Sequence, residues 1–378
     1  MKIAYDAKRA MQNFTGLGNY SRTLLETLAT YYPQHQYQLF VPRDTQTSRI
    51  ADLRDQKSVS IYTPFGAWPI MPALWRTAGI VRDIKKQDAQ IFHGLSHELP
   101  VGLQRAGIRS VVTMHDLVHE RYPEFYPALD RRIYTIKFRH ACRTADSVVA
   151  ISEQTRRDLI ELYQVPPHKI TVIYQSCHPQ FGIIADQQNI ARIKKKYQLP
   201  NQYILYVGTI NERKNLLGLI QALENLTDTQ PELHLVIAGI GGTYAQKIQT
   251  YLDKRPHLNA RIKWLPKQDF PDMPAVYQGA HALVLPSFYE GFGIPVIEAL
   301  SGGTPVITSQ GGCLAEAGGP NSLYINPADP TDIAAAIHHV VTNPTLRDQM
   351  RTVGLQHVQK FAPKSLADQW ITHYQSIL

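Results

Sequence analysis

The stretch Ser287-Phe-Tyr-Glu-Gly-Phe-Gly-Ile-Pro-Val-Ile-Glu-Ala-Leu-Ser-Gly-Gly-Thr-Pro-Val306 lies between two short apolar runs, Ala282 to Pro286 and Pro305 to Thr308. The runs read as buried strands, and Pro295 to Ser301 reads as a helix between them. Such a strand–loop–helix–strand unit belongs to a parallel sheet. Pro295 suits the first helical position, where its missing N–H costs nothing. Gly291 and Gly293 let backbone approach a ligand closely. The N–H groups of Phe292, Gly293 and Ile294 then stand at the positive end of a helix, a ready anion site. Glu290 and Glu298 flank the loop, and carboxylates accept hydrogen bonds from hydroxyl groups. Together these residues point to a phosphorylated sugar or a nucleotide. Taken alone, they also fit a plain glycine turn with two solvated glutamates.

Outward from this stretch the same alternation repeats. Upstream, Tyr203 to Gly208, His234 to Gly239 and Ile262 to Leu265 read as strands, and Asn215 to Leu226 as a helix. Downstream, Pro330 to Thr342 and Pro344 to Lys360 read as helices. In the first half, Lys2 to Tyr5, Tyr37 to Val41, Ile91 to His93, Val111 to Met114 and Ser147 to Ile151 read as strands. Helices are expected at Asn19 to Tyr31, Arg131 to Thr144 and Glu153 to Tyr163, the last with Ser152 as its N-cap. The pattern pauses between 180 and 200. The expected architecture is α/β, with two Rossmann-like doubly wound domains facing a central cleft. They span residues 1–180 and 181–363, with a last helix over 364–378. That helix has Leu366, Trp370, Ile371, Tyr374 and Ile377 at helical spacing.

Three further stretches carry candidate chemistry. Tyr206-Val-Gly-Thr-Ile-Asn-Glu-Arg-Lys-Asn215 places Arg213 and Lys214 between a strand and a helix. Arg can hold a diphosphate through two parallel hydrogen bonds, and Lys adds a point charge. Phe14-Thr-Gly-Leu-Gly-Asn-Tyr-Ser21 offers Gly16 and Gly18 after the first strand, with Ser21 where a dinucleotide fingerprint needs its last glycine. His115 and Asp116 end a buried strand, where α/β enzymes place reactive groups; a structural histidine is the alternative.

Composition narrows the classes. The chain has 378 residues, 39 Lys plus Arg against 31 Asp plus Glu, and a net charge of +8. That favours anionic partners without selecting one. Three well-separated cysteines without a CxxC indicate neither a zinc site nor a disulfide framework, so reduced thiols in a cytoplasmic protein are expected. The start, Met-Lys-Ile-Ala-Tyr-Asp, lacks the apolar stretch of a signal peptide, and no run is long enough to span a bilayer. Phe65 to Lys86 combines Trp68, Ile70, Met71, Leu74 and Trp75 with Arg76, Arg82, Lys85 and Lys86. It reads either as an interfacial anchor or as a loop and helix packed on the N-terminal core. No D-x-D triplet, P-loop, HExxH or GxSxG occurs.

Taken together, the four stretches resemble glycosyltransferase family 4, retaining nucleotide-sugar-dependent enzymes of the GT-B fold. Glu290 to Glu298 resembles the family's E-x7-E motif, Tyr206 to Asn215 its phosphate-binding turn, and Ala145 to Phe181 its approach to the interdomain link. The resemblance implies that Arg213 and Lys214 hold the donor diphosphate and that Glu298 binds the ribose hydroxyls. Glu290 and the N–H groups of Phe292, Gly293 and Ile294 would hold the transferred sugar. Gly16 and Gly18 would belong to a loop closing over the phosphates, and the helix 364–378 would cross back to pack on the N-terminal domain. His115 would lie beside the reacting sugar, making His115 and Glu290 the implied catalytic pair, with Glu290 not assigned as nucleophile. Two departures stand out: Thr209 where many members carry Arg, and Gln175-Ser-Cys-His178 in place of an Asn-Gly pair.

The implied activity is metal-independent transfer of a hexose from a nucleotide diphosphate sugar, with mannose from GDP-mannose as the first expectation. No cofactor is expected. The acceptor would be a hydroxyl of a glycan or lipid-linked acceptor in surface polysaccharide or lipopolysaccharide synthesis, at the inner membrane face. Peripheral contact with an acidic membrane surface would suit that acceptor. A nucleotide-sugar epimerase of the same architecture is the alternative enzyme. A dinucleotide oxidoreductase lacks its full fingerprint. A nucleic-acid binder is disfavoured because the basic residues are dispersed.

Overall fold

A computed structural model describes residues 1–13, 15–45, 50–64, 71–265 and 269–378. The chain forms two compact units: Met1–Ser176 with Phe361–Leu378, and Cys177–Lys360. Each is built on a parallel sheet. In the first unit the strands are β1 (Lys2–Asp6), β2 (Gln36–Phe40), β3 (Val59–Tyr62), β4 (Ile91–Gly94), β5 (Arg109–Met114), β6 (Ser147–Ala150) and β7 (Ile170–Val172). Their order is β3-β2-β1-β4-β5-β6-β7. In the second they are β8 (Tyr203–Val207), β9 (His234–Ala238), β10 (Ile262–Trp264), β11 (Ala282–Leu285), β12 (Val306–Ser309) and β13 (Leu323–Ile325). Their order is β10-β9-β8-β11-β12-β13.

The central strands β8 and β11 of the second unit are apolar because helices cover both faces of such a sheet. Tyr203, Ile204, Leu205 and Tyr206 of β8 and all four residues of β11 are fully buried. The helix Pro330–Thr342 turns Ile333, Ala334, Ile337 and Val340 onto this core, and Asp329 caps it by accepting from the Thr331 N–H. Edge strands β3, β7 and β13 escape sequence reading. They are three or four residues long and mostly half-buried, so no continuous apolar run marks them.

The C-terminal helix Pro363–Ser376 packs on the helix Gly16–Tyr31. It buries Leu366, Trp370, Ile371 and Tyr374, while Ile377 stays half-exposed. Tyr374 Oη lies 2.7 Å from His93 Nδ1, and His93 Nε2 lies 2.7 Å from Thr113 Oγ1. The helix is thereby joined to β4 and β5 through buried hydrogen bonds, which are costly to leave half-made.

The Gly16–Gly18 segment differs from expectation. It is not a loop: the helix begins at Gly16, three residues before the expected start, with Thr15 as N-cap. Asn13 organises the entry, its Oδ1 accepting from the Thr15 N–H at 2.8 Å and the Gly18 N–H at 3.3 Å. A Cβ on Gly18 would stand 1.7 Å from the Asn13 carbonyl oxygen, so the glycine serves close packing of two backbones. Gly18→Ala is therefore expected to cost about 1–3 kcal/mol through overpacking and to lower the melting temperature by several degrees. An unchanged melting curve would rule out this tight approach.

The Phe65 to Lys86 stretch is settled for Trp75 alone among its aromatics; Phe65, Trp68 and Ile70 lie outside the described residues. Trp75 is fully buried and donates its indole N–H to Asp83 Oδ2 at 2.8 Å. It is a core residue and no anchor. Among the described residues, no helix is long and apolar enough to cross a membrane.

Candidate active site

In the second unit the strand order reverses direction between β8 and β11. Open parallel sheets bind ligands beyond the carboxyl ends of their strands at such a reversal. Arg213 and Lys214 follow β8, and Glu290 follows β11, so the fold brings together residues 76 apart in sequence.

The turn after β8 is held by its own asparagines. Asn211 Oδ1 accepts from the Lys214 N–H at 3.1 Å. Asn215 adopts a left-handed backbone with φ 51°. Its Oδ1 accepts from the Gly218 N–H at 3.3 Å, and its Nδ2 donates to the Pro327 carbonyl at 2.6 Å. Gly208 has φ +147°, and a Cβ there would sit 3.2 Å from Lys214 Nζ. Glycine ends β8 because the lysine side chain lies against that backbone.

Arg213 and Lys214 converge on one carboxylate. Arg213 Nη1 lies 2.8 Å from Glu290 Oε2, and Lys214 Nζ lies 2.6 Å from Oε1. Ser287 Oγ donates to the same Oε1 at 2.8 Å. The Arg213 guanidinium also donates to the Tyr289 carbonyl, and Cys313 Sγ donates to the Glu290 carbonyl at 2.9 Å. Burial opposes ionisation of Glu290, but the Arg213 and Lys214 charges outweigh it and hold the carboxyl at about 2. Burial lowers the Lys214 ammonium, against the pull of Glu290. Two cations facing one carboxylate leave the cluster with one positive charge at neutral pH.

The helix Ile294–Ser301 starts beside this cluster in sequence, with Gly293 as N-cap at φ +115° and no side chain capping it. A Cβ on Gly293 would also meet Leu314 at 2.9 Å, so the tight entry needs glycine twice over. The Phe292 ring is buried. On the same helix Glu298 stands in a different environment from Glu290: its Oε2 accepts from the Tyr277 hydroxyl at 2.5 Å. Burial raises its carboxyl to about 7, with the Tyr277 bond working the other way. Among the described residues, no group of three or more His, Cys, Asp or Glu side chains forms a metal site.

In the first unit, His115 is turned inward. Its Nε2 lies 2.8 Å from the Leu95 carbonyl and its Nδ1 3.1 Å from Gln175 Nε2. A carbonyl only accepts, so the proton sits on Nε2 and Nδ1 accepts from the Gln175 amide. Burial and the neighbouring His97 lower its pKa to about 3, which keeps the ring neutral. The Tyr20 ring packs edge-on against it at 4.7 Å. Gln175 thus has a definite task where the sequence departs from Asn-Gly. Gly16 is an exposed first helical residue, and Gly18 is buried against Asn13.

Sequence reading missed Ser287, Tyr277, Cys313, Asn211 and Asn215. Only the asparagines left a signal, since Asn-x-x-Lys-Asn between a strand and a helix is capping chemistry. Tyr277 and Cys313 reach the site from other elements and leave none.

Two open parallel sheets in series are the architecture of the GT-B glycosyltransferases. The chain belongs to that class by sequence as well. Residues 187–357 match the family described as Glycosyl transferases group 1, and residues 14–180 match Glycosyltransferase Family 4; it is a member of these glycosyltransferase families. It is similar to the Escherichia coli O-antigen chain mannosyltransferase B, at 29% identity over 389 residues covering 99% of this chain and 100% of that protein. The crystal structure of Anabaena Alr3699/HepE in complex with UDP-glucose has the same fold, with a TM-score of 0.80 at 17% identity over the whole of both chains. That of WaaG, a glycosyltransferase involved in lipopolysaccharide biosynthesis, gives 0.71 at 16% over 98% of each.

Proposed function

We propose that the chain transfers a hexose, with mannose from GDP-mannose as the specific reading, to a hydroxyl of a glycan or lipid-linked acceptor in surface polysaccharide synthesis. Transfer proceeds with retention and without a metal. The observation that carries the donor assignment is the Arg213–Lys214–Glu290 cluster at the strand reversal of the second unit. The relative's name, an O-antigen chain mannosyltransferase, supports mannose and a polysaccharide product. The UDP-glucose complex of the Anabaena protein supports a nucleotide-sugar donor.

In this reading the donor diphosphate takes up the cluster's surplus positive charge. As the glycosidic C–O bond breaks, negative charge gathers on the departing phosphate. Arg213 answers it with parallel N–H donors, and Lys214 with a compact charge. The amides of Phe292, Gly293 and Ile294 add the positive end of a helix. Glu290, anchored by both cations and Ser287, accepts from hydroxyls of the sugar, and Glu298 accepts from the ribose. For His115 to touch a sugar, its Nε2–H has to exchange the Leu95 carbonyl for a substrate oxygen.

A thermal-shift screen across GDP, UDP and ADP tests the donor class, because a ligand bound only by the folded state raises the melting temperature. The expected result is stabilisation by GDP above the other two, by about 2.7 kcal/mol at a hundredfold excess over Kd. Nucleotide release from GDP-mannose should then depend on an acceptor and persist in chelator. No shift with any nucleotide would remove the donor assignment. Turnover yielding an isomerised sugar without acceptor would make the chain an epimerase.

A further inference from the structure

His115 is held at every polar atom it has. Its backbone N–H donates to His97 Nε2 at 3.0 Å, and its carbonyl accepts from the Thr155 hydroxyl at 3.1 Å. The two ring nitrogens meet Leu95 and Gln175. Leu95 follows β4, His115 follows β5 and Gln175 follows β7, so three carboxyl ends of the first sheet meet at one imidazole. Such ends are where open parallel sheets bind ligands. His115 and Gln175 are each 4% exposed. The Ile173 N–H bonds the Ala150 carbonyl at 3.1 Å, which ties the start of the segment carrying Gln175 to β6.

The two ring bonds differ in what they can survive. Nε2–H donates to the Leu95 carbonyl at 2.8 Å, and Nδ1 accepts from Gln175 Nε2 at 3.1 Å. The reverse setting of the amide, oxygen toward Nδ1, would need protons on both ring nitrogens. Burial and His97 oppose such a charged ring. A neutral imidazole has two tautomers, and only one of them donates from Nε2. Once Nε2–H is given to a substrate oxygen, the Leu95 carbonyl no longer specifies which nitrogen carries the proton. Of the two bonds, the one to Gln175 remains. Asparagine, the residue type of the Asn-Gly pair from which this chain departs, is one methylene shorter and would fall short of Nδ1 from the same backbone position.

We propose that Gln175 is a positioning residue of the transfer reaction: its amide N–H keeps the proton of His115 on Nε2 throughout turnover, so that the ring stays a hydrogen-bond donor and never serves as a base. The role in transfer rests on the reading that places His115 beside the reacting sugar; the hold on the ring does not. The groups facing the ring are His97, Asp116, Arg9, His93 and Tyr20. Asp116 favours a charged ring, and His97 and Arg9 oppose it.

The experiment combines NMR of isotope-labelled histidine rings with turnover of Gln175→Met and Gln175→Glu. In the wild type, His115, assigned by the signals lost in His115→Ala, should show an unprotonated Nδ1 and a protonated Nε2. Turnover is read as GDP release from GDP-mannose, with mannobiose as the acceptor probe. Methionine keeps the length of the side chain but donates nothing. It should lower kcat about tenfold or more and leave the donor KM within about twofold. Gln175→Glu should follow a pH profile of its own. At low pH the new carboxyl group shares a proton with Nδ1 and leaves Nε2–H in place. As pH rises and that proton is lost, the carboxylate accepts from Nδ1–H and Nε2 is left bare. Turnover relative to wild type should therefore be close to one at about pH 6 and about tenfold lower at about pH 9, with the two nitrogens exchanging their NMR signatures. A glutamine that only packs would produce no such profile. Wild-type turnover in Gln175→Met, a flat ratio for Gln175→Glu across this range, or a wild-type proton on Nδ1 overturns the proposal. If His115→Ala loses turnover while Gln175→Met keeps it, the proposal falls and the reading of His115 stands. Wild-type turnover in His115→Ala strikes that reading, and this role with it.

Discussion

Glu290→Gln is expected to reduce turnover by at least a hundredfold and to destabilise the second unit by about 3 kcal/mol at pH 7. The amide keeps the shape but not the charge. Arg213 and Lys214, 2.8 and 2.6 Å from the carboxylate, then face an uncharged amide, and the lysine is buried. Removing one partner of a buried ion pair costs about 3–5 kcal/mol because the other charge stays desolvated; residual exposure of Arg213 places this site at the lower end. The pH dependence gives an independent check. Glu290 is held at about 2 instead of 4.5, and a depressed carboxyl stabilises the fold above its unfolded value. That stability is fully present above about 4.5 and is lost as pH falls toward 2, about 3 kcal/mol in all. The melting difference between wild type and variant should therefore shrink across this window. A difference that stays flat from pH 7 to pH 3, or turnover equal to wild type, would sink the assignment.

Glu298→Gln should act with opposite signs on stability and on binding. Burial lifts this carboxyl from 4.5 to about 7, so the folded state holds its proton more tightly than the unfolded state. The associated stability is present below about 4.5 and disappears as pH rises through 7. At pH 8 the wild-type protein therefore carries an ionised carboxylate in a buried site, where the Tyr277 hydroxyl donates to it. Glutamine fills the same space and still accepts from Tyr277. The variant should gain about 1–3 kcal/mol at pH 8 and under about 1 kcal/mol at pH 5. In the proposed donor site it should also weaken nucleotide binding about tenfold, since a hydrogen bond to a charged acceptor contributes about 1.5–3 kcal/mol. Melting curves at the two pH values and nucleotide titrations measure both effects. A variant less stable than wild type at pH 8 would show that the carboxylate is well paired in the native state, and unchanged nucleotide affinity would remove Glu298 from the ribose.

Much of the fold was legible because parallel α/β proteins write it plainly. Glu153–Tyr163 and Pro330–Thr342 match their expected bounds, since each has a capping side chain at its start and a clear apolar period. The long central strands appear as apolar runs because both faces are covered. The edge strands β3, β7 and β13 and the early start of the helix at Gly16 were not legible. The first are mostly half-buried and carry no continuous apolar run, and the second depends on Asn13 and a backbone approach that no local pattern announces. In the site, Arg213, Lys214, Glu290 and Glu298 could be picked out as chemical types near turns. Their grouping could not, because a lysine after one strand meets a glutamate after another only through strand order.

The sequence alone determined the class of fold, the helix and strand periods, and the presence of cations and carboxylates beside glycine turns, because local spacing decides these. Tertiary structure decided the rest. It joined Glu290 to two cations and left Glu298 with a tyrosine, so that two glutamates of one motif ionise about five pH units apart. It turned His115 inward onto Leu95 and Gln175, and Leu129, Ile133 and Ile136 outward into water. Burial and long-range neighbours set such properties, and both arise only when distant segments pack.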